Sequence, residues 1–365
     1  MTTTLNRLPA ALPVWSLLLP ALSLVLLALL FGAALGLAGI VLASAGLVAA
    51  VMAAVHHAEV VAHRVGEPFG TLVLAVAVTT IEVALIVSLM LAGGANASAL
   101  ARDTVFAAVM IVCNGVLGLC LLVGGIRHRV VAFRVEGSSP PLAVLVAMCG
   151  LTLVLPRYTL TTPGPSFSAS QLAFAGVASL LLYGAFVFVQ TVRHRDYFLP
   201  LDADDPHGHA PPPSTAVAWA SLGLLMAALV AVVGLAKTLA PSLEAGVRAV
   251  GAPPAVVGVI VALLVLLPET AAAVRAAAAN RLQTSVNLAL GSALASIGLT
   301  IPAVALLSLW FPHPLALGLA PKETVLLVLS FIVGAITLAG GQATVLQGVV
   351  HLVLFAAFLF LAVVP

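Results

Sequence analysis

Residues 70–92 read GTLVLAVAVTTIEVALIVSLMLA, a run of 23 residues in which Glu82 is the only ionisable side chain. A helix of about 20 apolar residues crosses the hydrocarbon core of a bilayer. A carboxylate near the middle of such a helix costs about 3 kcal/mol on insertion scales, so an acid there is a functional candidate by default. A second run, residues 252–274, reads APPAVVGVIVALLVLLPETAAAV and carries one carboxylate, Glu269, directly after Pro268. These two runs set the reading of everything around them.

The rest of the chain is of the same kind. Of its 365 residues, 62% are hydrophobic and 7% are charged. A soluble domain carries roughly a quarter charged residues and must wet its own exterior. Apolar runs of spanning length lie near 13–31, 34–55, 70–92, 104–125, 141–160, 168–191, 216–238, 252–274, 284–310, 321–339 and 343–364. The expected fold is therefore an all-α integral membrane protein of about 11 transmembrane helices. The first run follows Arg7 and exceeds the apolar stretch of a signal peptide, about 7–15 residues, so it is expected to stay as a leading helix. Gly32 and small neighbours join it to the second run, by a tight turn or as one overlong helix.

A net charge of +2 supplies no basic field for nucleic acid, and an aromatic content of 5% supplies no stacking platform for bases. Cys113, Cys120 and Cys149 fall in apolar runs and read as small core hydrophobes.

Arginine and lysine favour the cytoplasmic side. With the N-terminus inside, the cytoplasmic loops hold nine basic residues: Arg7, Arg64, Arg127, Arg129, Arg134, Arg193, Arg195, Arg275 and Arg281. The outer loops hold five: Arg102, Arg157, Lys237, Arg248 and Lys322. A multi-pass protein of the inner membrane follows, with a cytoplasmic N-terminus and an outer C-terminus.

One hydrophilic interruption, residues 193–215, contains Asp202, Asp204, Asp205, His207 and His209. It divides the chain into a leading helix (1–31), a first five-helix repeat (32–192), an acidic, histidine-bearing cytoplasmic linker (193–215) and a second five-helix repeat (216–365). An odd number of spans per repeat inverts the second copy in the membrane. Inverted repeats place their binding site near mid-membrane, where the copies meet.

Glu82 and Glu269 each lie on the second helix of a half, and inversion would bring them face to face. One isolated Glu is open to the plainer reading of a helix–helix hydrogen bond. Two at matching positions favour a functional pair. Pro268 removes a backbone donor, and the freed carbonyl is a potential oxygen ligand facing a cavity. Thr79 and Thr80 lie three and two positions before the first acid. In the helix after the second acid, Ser285, Ser292, Ser296 and Thr300 recur at spacings of seven and four, near one face, with Asn287 pointing elsewhere. Asn114 sits at the middle of the corresponding helix of the first half. A serine or threonine there is equally a packing residue. A buried asparagine needs a partner.

Other groups carry two readings each. Glu67, before Pro68, is an ion ligand at the mouth of the third span or an acid favoured by a helix N-terminus. His56, His57, Glu59 and His63 form a pH or metal sensor, or a solvated interfacial cluster. The acids and histidines of the linker chelate a regulatory cation or keep a flexible segment soluble. Arg275 and Arg281 read as topology determinants.

The segments Gly66-Glu67-Pro68-Phe69-Gly70 through Thr80-Ile81-Glu82-Val83-Ala84-Leu85-Ile86, and Pro268-Glu269 through Asn280-Arg281-Leu282-Gln283-Thr284 to Asn287-Leu288-Ala289-Leu290-Gly291-Ser292-Ala293, resemble the two α-repeats of the calcium/cation antiporter superfamily. Within it, the chain looks like the bacterial ChaA-type Ca²⁺/H⁺ (and Na⁺ or K⁺/H⁺) branch, over most of its length. The resemblance implies that Glu82 and Glu269 bind the cation and the protons. It implies that Asn114, Asn287 and Ser292 complete the site, with Thr79, Thr80, Pro268, Ser285 and Glu67 as accessory residues. Exchangers of the wider superfamily often carry Gly-Asn shortly before the acid, where this chain has Thr79-Thr80 and Leu267-Pro268. That departure leaves the cation open among Ca²⁺, Na⁺ and K⁺.

The chemistry of two acids in a low dielectric points the same way. Their charges must be cancelled, by protons or by a divalent cation. Ca²⁺ takes about six to eight oxygens, which two carboxylates, amides, hydroxyls, backbone carbonyls and water can supply. Protons and metal then compete for the same atoms, and exchange follows. The expected partners are lipid, inorganic cations and protons, with no resident cofactor. A membrane enzyme is the weaker alternative, since the sequence holds no HExxH, no Gly-x-Ser-x-Gly and no Walker A motif. A cation channel is the other alternative.

Overall fold

The structure is a computed structural model that describes residues 12–66, 69–92, 97–199, 212–308 and 315–364. Among them are eleven helical rods, one for each apolar run. They are α1 (Val14–Leu30), α2 (Leu37–Val65) and α3 (Phe69–Ala92). Next come α4 (Ala97–Met110, continued by a π-helical segment Ile111–Val116 and by Leu117–His128) and α5 (Val135–Cys149, continued by a π segment Gly150–Val154 and a 3-10 turn Leu155–Arg157). Then follow α6 (Ala169–Phe188, ending in a π turn Val189–Arg193), α7 (Thr215–Ala249), α8 (Ala255–Ala278), α9 (Leu282–Leu307), α10 (Pro321–Ala339) and α11 (Val345–Val363). Ten are long and apolar enough to cross a membrane, and α1, with 17 residues, is shorter. The protein is an all-α polytopic membrane protein.

Several helices outrun their apolar stretches. The second apolar run ends near residue 55, yet α2 continues through His56, His57 and His63 to Val65. Gly66, at φ +75°, then ends it in the left-handed region that L side chains resist. Ala58, Glu59, Ala62 and Arg64 are good helix formers and carry the rod past the end of its apolar run. The first two runs are separate helices, broken at Gly32, whose φ is also +75°.

The rods fall into two compact units. The first holds α1, α2, α3 and α7, with α2 packed against the other three. Glycines set these contacts: a Cβ on Gly46 would strike Leu26, and one on Gly234 would strike Leu27. His57 is fully buried, and its Nε2–H donates to the Ser16 carbonyl at 2.8 Å. The helical partner of that carbonyl would be residue 20, and Pro20 has no N–H to give. The imidazole thus satisfies an acceptor that α1 leaves open. His56 lies against Trp15, ring centroids 4.8 Å apart, while His63 is exposed. The histidines are therefore not one solvated cluster: His57 is an internal pin.

The second unit holds α4–α6, α8–α11 and a short antiparallel pair, β1 (Val130–Ala132) with β2 (Gln342–Thr344). Its α4–α11 contact is backbone-close. A Cβ on Gly348 would lie 2.6 Å from the Leu122 nitrogen, and one on Gly118 would lie 2.9 Å from Cβ of His351. At one end of this unit His128 Nε2–H donates to the Ala278 carbonyl (3.1 Å), and the Arg134 backbone N–H donates to Gln283 Oε1 (2.7 Å). That end carries Arg127, Arg129, Arg134, Arg193, Arg195, Arg275 and Arg281. At the other end Arg102 pairs with Asp103 at 2.7 Å and donates to the Gly318 carbonyl. Cys113, Cys120 and Cys149 are buried thiols.

Candidate functional site

Glu82 lies in the first unit, on α3, and is 2% exposed. Thr79 precedes it by three positions, shares its helical face and is buried as well. Ile86 and Leu89 continue that buried face. Thr80 lies on the exposed side, where its hydroxyl donates back to the Val76 carbonyl at 2.7 Å. Of the two threonines, Thr79 keeps company with the acid. Glu67 and Pro68 lie outside the described residues, as does the acidic, histidine-bearing stretch 200–211.

Glu269 lies in the second unit, on α8, and is half-buried. The helix runs on through Pro268, which denies the Leu264 carbonyl its usual donor. One turn beyond Glu269, the Ala273 carbonyl accepts from the hydroxyl of Ser285 at 2.7 Å. That bond fixes the register of α9 against α8. In antiparallel neighbours with a rise of about 1.5 Å per residue, Glu269 then stands roughly level with Ala289, about one turn from Ser292. Ser285, Ala289 and Ser292 follow one another at i, i+4 and i+7, on the stripe of α9 that bonds α8. Ser285 is buried and Ser292 half-buried. Ser285 and Ser292 thus share the side of α9 that meets α8.

Both asparagines have hydrogen-bond partners within the second unit. Asn287 accepts from Gln283 Nε2 at 2.9 Å and donates to the Phe198 carbonyl at 2.6 Å. It ties α9 to the 3-10 turn Arg195–Phe198 that follows α6. Asn114 sits in the π segment of α4, fully buried. Its Nδ2 donates to Ser330 Oγ on α10 at 2.8 Å, and its Oδ1 accepts from His351 Nδ1 on α11 at 3.3 Å. His351 Nε2 faces the Thr337 hydroxyl at 3.1 Å. Sequence reasoning passed over His351, Ser330 and Thr337. The signal was present: His351 is the only ionisable residue of α11, and scarcity of that kind had singled out the two acids.

No group of three or more His, Cys, Asp or Glu side chains able to hold a metal occurs among the described residues. Oxygens of a cation site built on these acids have to come from amides, hydroxyls, backbone carbonyls and water as well.

Comparison with known proteins gives a consistent picture. The model of a family described as sodium/calcium exchanger protein matches residues 35–192 and 220–364. The protein y4hA of Sinorhizobium fredii (strain NBRC 101917 / NGR234) is 50% identical over 318 residues, covering 87% of this chain and 86% of its own length. The sodium-potassium/proton antiporter ChaA of Escherichia coli (strain K12) is 36% identical over 315 residues, covering 85% of this chain and 84% of its own. The solved structure of native YfkE superposes with a TM-score of 0.74 at 17% identity, covering 96% of this chain and 99% of that one. This last likeness is one of fold.

Proposed function

This chain belongs to the sodium/calcium exchanger family, and on that premise we propose that it exchanges Ca²⁺ for H⁺ by competition at two membrane-embedded glutamates, Glu82 and Glu269. That it is a cation-exchanging transporter and not an enzyme follows from the family and from its relatives. The observation that carries the finer reading is the place of the acids. The family model matches two segments of the chain, and each segment holds one such Glu at nearly the same distance from its start.

Two carboxylates in a medium of low dielectric are neutralised either by protons or by one divalent cation. An empty, doubly charged site is too costly to carry through the barrier, so each passage takes one cargo or the other. Oxygens from Ser285, Ser292, Thr79 and the Leu264 carbonyl beside Pro268 are the candidates to complete the shell, with Asn114 and Asn287 and, before the third span, Glu67. The gathering of seven arginines at one end of the second unit supports a cytoplasmic assignment for that end. With it go a cytoplasmic N-terminus, an outer C-terminus and residence in the inner membrane.

The fold neighbour YfkE is a Ca²⁺/H⁺ antiporter. The second reading, a Na⁺ or K⁺/H⁺ antiporter, is favoured by the 36% identity to ChaA. In that case one carboxylate keeps its proton while the other meets the monovalent ion. Everted vesicles loaded with protons decide between them. Addition of Ca²⁺, Na⁺ or K⁺ is expected to release the trapped protons, with Ca²⁺ effective at the lowest concentration. Glu82→Gln and Glu269→Gln are each expected to abolish that release while the protein still inserts. Normal exchange by either variant removes that acid from the mechanism.

A further inference from the structure

Four polar side chains form a hydrogen-bonded chain inside the second unit, and the carboxylate mechanism uses none but Asn114. Asn114 and His351 are 0% exposed, Ser330 is 1% and Thr337 is 4%. They come from three helices: α4, α10 and α11. Their hydrogen positions follow from what each atom can do. The Ser330 hydroxyl hydrogen goes to the Leu326 carbonyl at 2.7 Å, so Ser330 meets Asn114 as an acceptor. That requires the amide nitrogen of Asn114 on the Ser330 side, at 2.8 Å. The amide oxygen must then face His351, at 3.3 Å, and an oxygen can only accept. His351 therefore carries hydrogen on Nδ1. Its Nε2 offers a lone pair to the Thr337 hydroxyl at 3.1 Å. One neutral tautomer satisfies every member.

The consequence concerns orientation. An amide carbonyl has two lone pairs; His351 takes one of the Asn114 oxygen and so fixes the direction of the other. With the Ser330 hydrogen on the Leu326 carbonyl, a flipped amide would set oxygen against oxygen at Ser330. Gly118 lets α4 close on Cβ of His351, which holds that side chain against α4. Asn114 also sits in a π-helical segment, where backbone carbonyls leave their α-helical register, an arrangement that recurs at functional sites.

We propose that His351 is a positioning residue for ion exchange: through Asn114 it sets the direction in which the buried π segment of α4 presents its amide oxygen to the transported cation. The proposal rests on the reading that Asn114 contributes to the cation site. Its failure and the failure of the carboxylate reading are separable.

The test uses His351→Gln, which keeps one N–H donor and one acceptor, and His351→Leu, which keeps neither. Both are measured in everted vesicles with whichever cation evokes proton release, as half-saturating concentration and maximal rate. His351→Leu is expected to raise the half-saturating concentration about tenfold, equivalent to about 1.4 kcal/mol, with the maximal rate within about threefold. His351→Gln is expected to stay within about threefold on both. Ser330→Ala, which removes the opposite anchor of the amide, is expected to shift half-saturation in the same direction, and it carries the test if His351→Leu does not insert. Unchanged half-saturation in inserted His351→Leu or Ser330→Ala overturns the proposal, as does an equal loss of maximal rate in both histidine variants at native half-saturation. If Glu82→Gln and Glu269→Gln are inactive while His351→Leu binds as the native protein does, this proposal alone falls.

Discussion

Replacing His57 by Leu tests whether α1 is held by the acceptor that its own proline leaves open. In the native protein the Ser16 carbonyl has no helical donor, because position 20 is proline, and His57 Nε2–H supplies the bond at 2.8 Å. Leucine fills a similar volume but donates nothing. A buried carbonyl left without a donor costs about 1–3 kcal/mol. Pro20→Ala restores the N–H inside α1, so the carbonyl no longer depends on the histidine. In that background His57→Leu is expected to cost about 0.5 kcal/mol or less. The coupling between the two positions is then about 0.5–3 kcal/mol, a range that begins near the average of about 0.6 kcal/mol for side-chain hydrogen bonds between membrane helices and extends well above it. Unfolding of the four proteins by SDS in mixed micelles, read by circular dichroism, gives the cycle. Equal destabilisation by His57→Leu with proline and with alanine at position 20 would refute the reasoning, since the bond would then have nothing to do with the missing N–H.

Gly348→Ala would set a Cβ 2.6 Å from the Leu122 nitrogen and 3.0 Å from the Gly118 carbonyl oxygen. Both are backbone atoms that cannot swing aside, and a loss of about 1–3 kcal/mol is expected in the same titration. Gly334→Ala, whose nearest contact is a flexible leucine at 3.6 Å, serves as the control and should not destabilise. A neutral Gly348→Ala would show that α4 and α11 do not approach so closely. Asn287→Ala removes the donor to the Phe198 carbonyl and the acceptor for Gln283. Trypsin cleavage at Arg193 and Arg195 is expected to quicken severalfold in that variant; an unchanged rate would mean that the turn after α6 is held by other contacts.

The spans were legible because the bilayer imposes one length and one composition on them. All eleven apolar runs have a helix, and the turn at Gly32 separates the first two. Less legible was where a helix stops once it leaves the apolar run. The rod α7 continues to Ala249, although its apolar run fades near residue 238, because Lys237, Glu244 and Arg248 are helix formers in water. The π segments were not legible at all. An i→i+5 register depends on what a helix packs against, and residues 111–116, IVCNGV, carry no local preference for it. Glu82 lies buried in its apolar run, as the length of that run leads one to expect, whereas the directions taken by Asn114 and Asn287 depend on partners far away in sequence.

That last difference has a chemical rule behind it. A serine or threonine in a helix can satisfy its hydroxyl on its own backbone, and here Thr80, Ser88, Thr152 and Thr270 each donate to the carbonyl four residues back. Such a residue in an apolar run says little about neighbours, which is why stripes of Ser and Thr are ambiguous as binding surfaces. Asn, Gln and His have more polar atoms than one helical turn can satisfy. In an apolar interior they must reach another helix, as Asn114, Gln283, His57 and His351 do. Each of them in a spanning run therefore predicts an interhelical contact from sequence alone, and two of them at contact distance predict each other's orientation. The acids obey the same rule with a stronger compulsion, since a carboxylate must find a cation or a proton as well as a donor. On that scale Glu82 and Glu269 lie at the demanding end, Asn114 and His351 next, and the hydroxyls last. The order of demand is the order in which substitutions are expected to damage exchange.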